Sequence, residues 1–368
     1  MKRIRAILLT AIMATGTLHS CSKDETDPVI PGNPLTELEE AIEYPFSHYG
    51  YPSNIILDTD IGSSTDDLIT MHLLYKIQRI GPIKIRGIMV NREGLYPLRL
   101  TDIMNTYYGF GDIPVGRVQN GVKNPSAFID YWKMAAPEVY ADEPVFRRTR
   151  SDEELENSLP AETLYRKILS QSKDRSIFIC SIGFATNLAH LLESGPDEFS
   201  PLNGIDLVKR KVTLLCIQGG HLSGTAEPDY NFMQDPENAR KVLMDWPTPV
   251  LFSPQESGQQ FNYEPKDILA DLKAGNMADS PLYHAYSHHD CESGQRMWDA
   301  MTLMPIINDE LFTFDGPHKF DIGADYIIND KGNINGNHYL SYPKDQHCAE
   351  LLMNLLRTYS SIPNLEID

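Results

Sequence analysis

Short apolar runs alternate with helix-like segments along most of this chain. The runs at 55–57, 83–90 and 176–182 are mainly apolar, and within them 55–57, 88–90 and 177–180 are apolar at consecutive positions, so both faces of each strand would be buried there. Strands of this kind are typical of a parallel sheet that is covered by helices on each side. The pattern therefore predicts an α/β fold, doubly wound around a mostly parallel sheet, in a single large domain.

The boundaries of the predicted elements follow from the same runs. The predicted strands are 55–57, 83–90, 113–118, 176–182, 212–217, 249–252 and 320–329. The predicted helices are 67–80, 98–108, 295–307 and 346–359. Segment 125–159 is rich in Pro, Glu and aromatic residues and is interpreted as an insertion or lid, and 283–294 is interpreted as a polar loop.

The N-terminus has the pattern of an exported lipoprotein. Basic residues are followed by an apolar run over 6–17, which is too short to span a membrane. The run ends in Leu-His-Ser-Cys, which resembles a lipobox with Cys21 as the lipidated residue. The alternative is ordinary signal-peptidase cleavage, which would leave Cys21 as a free thiol. The predicted divisions are a lipoprotein signal peptide (1–20), a flexible acidic tether (21–43) and an α/β domain (44–368).

The overall charge restricts the class of partner. The chain carries 51 acidic and 32 basic side chains, with a net charge of −19. Such a surface repels phosphate backbones, so nucleic acid is not an expected partner. The membrane is expected to be contacted through the lipid anchor only. The cysteines contain no CxxC pair, which disfavours a thiolate zinc site, and Cys180 and Cys216 are predicted to be buried free thiols.

An acidic segment follows the first predicted strand. Asp58, Asp60, Asp66 and Asp67 lie within ten residues around a glycine turn, where a strand leads into a helix. Ligands of open α/β sheets bind beyond the carboxyl ends of the strands. Crowded carboxylates are costly to bury unless a cation neutralises them, and oxygen ligands suit Ca²⁺. The alternative is a solvated acidic loop that caps the next helix.

Polar residues also follow other predicted strands. The carboxyl ends of parallel strands meet at one edge of a sheet, so these residues are expected to approach the acidic segment and to bind sugar hydroxyls or a cation. They are Asn91, Thr186, Asn187, Gln218, Asp229 and Asn231.

These segments together resemble the inosine-uridine-preferring nucleoside hydrolase family. Residues 58–67 match its Asp-Thr-Asp-x-Gly fingerprint, which closes in an Asp-Asp pair. Further similarities keep the family's order between residues 54 and about 307. They are Val90-Asn91, Phe184-Ala185-Thr186-Asn187-Leu188-Ala189, Gln218-Gly219-Gly220, Asp229-Tyr230-Asn231, Asp235-Pro236-Glu237-Asn238-Ala239 and Trp298-Asp299-Ala300.

The resemblance implies a Rossmann-like nucleoside hydrolase fold and a set of residue roles. Asp60, Asp67, Asp299 and the Thr186 carbonyl would bind Ca²⁺, and Asp66 would be the general base. The ribose would be held by Asn91, Asp229 and Asn231, with Gln218 beside the sugar. The reaction implied is hydrolysis of the N-glycosidic bond of a nucleoside, through an oxocarbenium-like transition state.

Four positions depart from the family pattern. Ser64 stands at an Asp of a longer fingerprint, Gln218 replaces a Met, Asp229 replaces a Glu, and Trp298 replaces a His. Tryptophan can stack on a base but cannot donate a proton as an acid. Histidines elsewhere would have to do so, and each could equally be an exposed loop residue. The candidates are His221, His288 and His289.

Two functions remain open at this point. The first is a hydrolase acting on a nucleoside or related ribosyl substrate outside the cytoplasm, anchored in the outer membrane, with display on the cell surface left open. The second is a surface lipoprotein that binds a sugar ligand without turnover, which the departures at Ser64, Asp229 and Trp298 favour. Base preference and self-association into a homo-oligomer are also left open by the sequence.

Overall fold

The computed structural model describes residues 37–43, 53–62, 64–81, 83–122, 130–222, 229–289, 296–323, 326–331 and 336–364. Its centre is an eight-stranded sheet in the order β3-β2-β1-β4-β5-β6-β10-β7. All neighbouring strands are parallel except β7, which runs antiparallel to β10 at one edge. The prediction of a mostly parallel, doubly wound sheet is confirmed.

The strands of the main sheet and of a small hairpin are β1 (Ser53–Thr59), β2 (Ile83–Arg92), β3 (Val115–Val122), β4 (Ile177–Ser181), β5 (Val212–Gln218), β6 (Val250–Ser253), β7 (Phe312–His318), β8 (Phe320–Ile322), β9 (Ile328–Asp330) and β10 (His338–Pro343). The helices are α1 (37–43), α2 (Asp66–Ile80), α3 (Leu95–Tyr107), α4 (Asp152–Glu156), α5 (Ala161–Gln171), α6 (Thr186–Glu193), α7 (Gly204–Lys211), α8 (Tyr230–Gln234), α9 (Pro236–Asp245), α10 (Gln255–Gln259), α11 (Pro265–Ala274), α12 (Pro281–His288), α13 (Trp298–Ile307) and α14 (Gln346–Ser361). Two 3₁₀ helices span Asp130–Ala135 and Asp309–Leu311.

The sheet is buried on both faces, as the apolar runs predict. Along β1, Ile55 and Leu57 pack into one hydrophobic cluster, whereas Ile56 packs into a second cluster on the other side. The alternation follows from the two-residue period of a strand. The other strands and the helices on each side of the sheet complete both clusters, so the strand ends are held on a rigid frame.

The order of the strands creates a switch point beside β1. The chain moves from β1 to β2 and β3 on one side, and then to β4, β5 and β6 on the other side. A crevice forms beyond the strand ends where the direction of winding reverses, and ligands of doubly wound folds bind there. The acidic segment follows β1 directly and therefore lies at this crevice.

Four predicted segments need correction. The predicted strand 320–329 is instead two short antiparallel strands, β8 and β9, which form a hairpin outside the main sheet. Residues 37–43 form a helix with Leu38 and Ala41 buried, so the folded part begins before the predicted end of the tether. Segment 125–159 is not a detached lid within its described part, because Tyr131 and Leu155 are fully buried in the main core. The predicted loop 283–294 is helical through His288, and 290–295 lie outside the described residues.

The predictions for the cysteines and for the membrane can be compared with the structure only within the described residues. Cys180, Cys216 and Cys348 are buried free thiols, as was predicted for the first two. Cys21 and the signal peptide lie outside the described residues. Within the described ranges, no helix combines the length and the apolar character needed to cross a bilayer.

Candidate active site

The strand register brings the predicted polar residues to one edge of the sheet. Thr59 of β1 pairs with Val90 of β2, so Asp60, which follows β1, lies level with Asn91 near the end of β2. On the other side of β1, Asp58 pairs with Ser181 at the end of β4. Residues that are more than 120 positions apart in the sequence therefore meet at the switch point.

Three aspartates form the centre of this edge. Asp66 and Asp67 lie in the first turn of α2, and Asp299 lies in the first turn of α13. Each offers a carboxylate oxygen, and these oxygens all lie within 4.8 Å of one another. The backbone N–H of Asp299 donates to Asp66 at 3.5 Å, and the Thr59 hydroxyl donates to Asp67. Two helix N-termini thus face the negative charges, an arrangement that favours anionic groups.

Burial and mutual repulsion disfavour ionisation of these carboxylates. Burial raises the pKa of Asp66 to about 6, and the charge of Asp60 adds to the effect. Burial, with the charges of Asp60 and Asp66, raises the pKa of Asp67 well above its usual value. The pKa of Asp299 is raised in the same direction by burial and by the neighbouring aspartates. A divalent cation among these groups would remove the repulsion, so the donor set fits a hard metal ion.

Asp60 has a different partner from the other three aspartates. Its carboxylate lies 3.6 Å from the guanidinium of Arg92, and both side chains are almost completely buried. Arg92 also donates to the Asp60 carbonyl at 3.2 Å and to the Tyr230 hydroxyl at 3.1 Å. Asp60 remains close enough to raise the pKa of Asp66 and Asp67. The site therefore contains a built-in cation, which the sequence analysis did not identify.

Asp58 acts as the acceptor that organises the sugar side of the crevice. It receives hydrogen bonds from Asn91 at 2.7 Å, Tyr165 at 2.9 Å and Asn187 at 3.1 Å. Burial raises its pKa to about 7, and these three hydrogen bonds act in the opposite direction. Asp58 is thus a positioning residue for the two asparagines.

The asparagine amides are fixed with their acceptor oxygens unused. Asn91 donates to Asp58 and also to the Phe184 carbonyl at 3.0 Å. The Oδ1 atoms of Asn91 and Asn187 are buried, and neither has a hydrogen-bond partner among the described residues. A buried unpaired acceptor costs about 1–3 kcal/mol, and a ligand hydroxyl would satisfy it. Gly183 permits the close approach here, since a Cβ at 183 would lie 2.8 Å from the Asn91 oxygen.

A second polar group joins the sugar side from β5 and α8. Gln218 ends β5 and donates to Asp229 at 3.3 Å, and it accepts from Asn231 at 2.5 Å. Asp229 also accepts from the Phe232 N–H at 2.9 Å and so caps α8. Its charge also contributes to the raised pKa of Asp299, after burial and the charges of Asp66, Asp67 and Asp60. The structure therefore brings Gln218, Asp229 and Asn231 together beside the aspartates.

Thr186 begins α6 at the same edge of the sheet. Its hydroxyl donates to Asp235 at 2.5 Å, and Asn238 donates to the same carboxylate. Asp235 therefore holds the turn that carries Thr186. This support comes from the Asp-Pro-Glu segment of the sequence, and it leaves the backbone carbonyl of Thr186 as a predicted ligand.

Trp298 is anchored by its indole. Its Nε1–H donates to the Gln255 carbonyl at 3.0 Å. A Cβ at Gly258 would come within 2.4 Å of the Trp298 Cα, so glycine is needed for α10 to pack against the start of α13. This packing sets the position of Asp299, the next residue.

The candidate histidines fall into two groups. His221 follows β5 and is buried, and its Nδ1 has no hydrogen-bond partner among the described residues. A positive charge on this ring would lower the pKa of Asp229, which burial raises. His289 instead approaches Glu143 at 3.1 Å, while exposed His288 stacks on His284 with ring centroids 4.1 Å apart. In the described structure, the contacts of His288 and His289 are with these neighbours and not with the aspartates.

Comparison with known proteins gives the family. A family model described as inosine-uridine preferring nucleoside hydrolase matches residues 55–346. The chain belongs to this family. No curated protein matches the sequence.

Solved nucleoside hydrolases share the fold at low identity. A plant nucleoside hydrolase superposes with a TM-score of 0.61 at 17% identity, covering 83% of this chain and 99% of its own. The purine-preferring ribonucleoside hydrolase of Gardnerella vaginalis gives 0.61 at 15% identity, covering 84% and 99%. The inosine-uridine preferring nucleoside hydrolase of Bacillus anthracis gives 0.59 at 15%, covering 83% and 99%. The predicted nucleoside hydrolase fold is thus confirmed.

Several residues of this nucleoside hydrolase site were missed by sequence reasoning. Asp58 was identified as acidic but not as the support of the asparagines. Tyr131 accepts from the Gly62 N–H at 2.6 Å and donates to the Ser64 carbonyl at 3.0 Å, so a residue from the supposed lid holds the acidic loop. Tyr165 and Arg92 lie in a helix and a strand whose periodicity gives no sign of a polar role.

Proposed function

We propose that this chain hydrolyses the N-glycosidic bond of a ribonucleoside, releasing ribose and the free base, with Ca²⁺ as the metal. The observation that carries the proposal is the meeting of three buried carboxylates with two unsatisfied amide oxygens at the switch point. The carboxylates match a hard cation, and the amide oxygens match the hydroxyl donors of a sugar.

Asp60, Asp67, Asp299 and the carbonyl of Thr186 are the proposed metal ligands. The ion would supply positive charge that lowers the pKa of a coordinated water. For Asp60 to bind the metal ion, its carboxylate would have to contact both the ion and the guanidinium of Arg92. That competition predicts a weaker site than one with four unpaired carboxylates.

Asp66 is the proposed general base. Its carboxylate lies within 4.8 Å of those of Asp67 and Asp299, and burial raises its pKa to about 6, which is near the range suited to accepting a proton from water. Ionised carboxylates around the sugar would stabilise the positive charge that develops on the ribose as the bond to the base breaks. Asn91, Asn187, Asp229 and Asn231 would hold the hydroxyls, with Gln218 fixing the last two.

The leaving base also needs a proton unless it departs readily as an anion. Trp298 cannot supply one, because indole is not an acid and its N–H is already donated to Gln255. Its ring would offer a stacking surface. His221 is the proposed acid, because it is buried on the Asp229 side of the crevice with Nδ1 unused in the described structure.

The test uses inosine, uridine and nicotinamide riboside with added Ca²⁺, and measures reducing ribose. Release that is removed by Asp66→Asn and by a Ca²⁺ chelator supports the proposal. If the folded wild type binds ribose but releases none from any of the three substrates, the hydrolase proposal is wrong.

A ligand-binding protein without turnover is the second candidate. Arg92 favours it, because a buried guanidinium beside Asp60 already neutralises part of the acidic cluster. This function would be supported if the wild type shows no turnover and if Asp66→Asn still binds ribose. Among structural neighbours, an effector protein named XopQ was solved with adenosine diphosphate ribose, at a TM-score of 0.61 and 14% identity. Adenosine diphosphate ribose therefore belongs in the binding panel.

Export and lipidation of Cys21 form a separate proposal. Support comes from the basic start, the short apolar run and the lipobox-like Leu-His-Ser-Cys. Mass spectrometry of the purified mature protein should show a lipid-modified Cys21 in the outer-membrane fraction. An unmodified Cys21, or retention of residues 1–20, would contradict it.

A further inference from the structure

A second group of potential metal ligands lies apart from the aspartates. Glu143, His284 and His289 offer ligand atoms that all lie within 4.8 Å of one another. Glu143 belongs to the irregular segment before α4, His284 lies in α12, and His289 follows that helix directly. None of these residues has a part in the hydrolysis proposed above, so this cluster needs its own explanation.

The side chains converge on one point with their polar atoms. The Nε2 atom of His284 lies 2.8 Å from one Glu143 oxygen, and the Nε2 atom of His289 lies 3.1 Å from the other. A tetrahedral zinc site with bonds of about 2.0–2.2 Å separates its donor atoms by roughly 3.3 Å. Small side-chain movements would therefore bring these three donors to ligand positions.

The two histidines contact Glu143 differently: His284 is hydrogen-bonded to it through Nε2, whereas His289 is not. The side chain of His289 is only 6% exposed, and its Nε2 atom makes no hydrogen bond in the described structure although a Glu143 oxygen is 3.1 Å away. A hydrogen-bonded imidazole points its N–H at the acceptor. An imidazole that binds a metal points its nitrogen at the ion and not at the neighbouring ligand. The Nε2 atom of His289 and the Glu143 oxygen would then be close together without being aligned for a hydrogen bond, as they are here.

The donor types differ from those of the aspartate site. Two imidazoles and one carboxylate suit zinc and related transition metals, whereas an all-oxygen set suits calcium. Imidazole binds a metal through a neutral ring nitrogen, and both histidines turn such a nitrogen towards Glu143. The two clusters would therefore select different ions.

We propose that Glu143, His284 and His289 bind a zinc-class transition-metal ion, with one coordination position left for water or another ligand. The ion would tie the segment around Glu143 to the C-terminal end of α12. Phe146 packs edge-on against His284 with ring centroids 5.8 Å apart, so the segment already follows the helix at this point. α12 also contacts the 3₁₀ helix that carries Tyr131, which holds the acidic loop. The site would thus stabilise the support of the catalytic loop.

The test measures zinc on the purified full chain. The protein is stripped with a chelator, incubated with Zn²⁺ in excess Ca²⁺ to saturate the aspartates, and desalted before metal analysis. We expect one Zn²⁺ per chain, with the affinity lowered by about 100-fold or more in Glu143→Gln and in His284→Ala, because loss of a direct ligand exceeds the effect of a supporting residue. His347→Ala, at an exposed histidine of α14, is the matched control and should retain the wild-type affinity.

Additional measurements separate this site from the aspartates. Asp299→Asn should keep its zinc, and Co²⁺ bound in place of zinc should give the intense visible absorption of a tetrahedral site. Circular dichroism tests whether each variant is folded. If Glu143→Gln or His284→Ala does not fold, His289→Gln is used as a third ligand variant. The proposal would be overturned if the wild type binds no zinc, if the ligand variants bind as much zinc as the wild type, or if Asp299→Asn loses its zinc. Because the readout is metal content, it is independent of whether the protein hydrolyses nucleosides.

Discussion

Replacing Asp66 with asparagine should stabilise the metal-free protein while it removes turnover. The folded-state pKa of Asp66 is about 6, against 3.8 for an unburied aspartate. At about 1.4 kcal/mol per pKa unit, ionised Asp66 destabilises the fold by about 3 kcal/mol. An asparagine at this position would carry no charge and could still accept from the Asp299 N–H, so the gain should approach that value.

The pH dependence gives the sign of the effect. Below about pH 4, Asp66 is protonated in both the folded and unfolded states and contributes no penalty. Between about pH 4 and 6 the unfolded state loses its proton first, so stability falls as the pH rises. Above about pH 6 the full penalty is present. The advantage of Asp66→Asn should therefore be small at pH 4 and largest at pH 8.

The assay is urea unfolding in a Ca²⁺ chelator at both pH values. Asp112→Asn, at an exposed aspartate, controls for the loss of one negative charge and should leave the free energy of unfolding unchanged within about 0.5 kcal/mol. If Asp66→Asn is no more stable than the wild type at pH 8, the inference that desolvation and repulsion strain this site is wrong.

Four further predictions test other parts of the site. Ca²⁺ at 100 times its Kd should stabilise the wild type by about 2.7 kcal/mol in thermal unfolding, and Asp67→Asn should lose that shift. At pH 4, where the Asp58 carboxyl is protonated in the folded state and buries no charge, Asp58→Ala should lower the free energy of unfolding by about 3 kcal/mol, because three buried donors lose their acceptor, and the change should also raise KM. Gly258→Ala should weaken Ca²⁺ binding in calorimetry, because the added Cβ meets the backbone of Trp298. His221→Asn should lower kcat on inosine by about 10²-fold or more but spare nitrophenyl riboside, whose leaving group needs no acid; equal losses on both would exclude an acid role.

The parts of the site that the sequence predicted are those with a local signal. Asp60, Asp66 and Asp67 stand out because they cluster after an apolar run, and strand ends meet at one edge of a parallel sheet. Asp299 has no such local signal, since it lies more than 230 residues from Asp66 and was assigned through the family resemblance. The structure places the two in direct contact.

Other features depend on tertiary contacts and have no sequence pattern. Arg92 continues β2 as an ordinary strand residue, and only the fold shows that it faces Asp60. Tyr131 lies in a segment without hydrophobic period, so its support of the acidic loop could not be inferred. His289 was predicted to lie in a polar loop near the substrate, whereas it directly follows α12 and lies beside Glu143. Packing sets the end of this helix, and the periodicity of the sequence gives no sign of it.

The charge balance of the crevice connects its stability with the proposed chemistry. Five carboxylates, from Asp60, Asp66, Asp67, Asp229 and Asp299, lie near the guanidinium of Arg92. If all five are ionised, the guanidinium and one divalent ion together do not neutralise them, and a negative charge remains. That residual charge favours positive charge developing on a sugar. The same residual charge disfavours an anionic ligand, so neutral or cationic ribosides should bind better than phosphorylated ones.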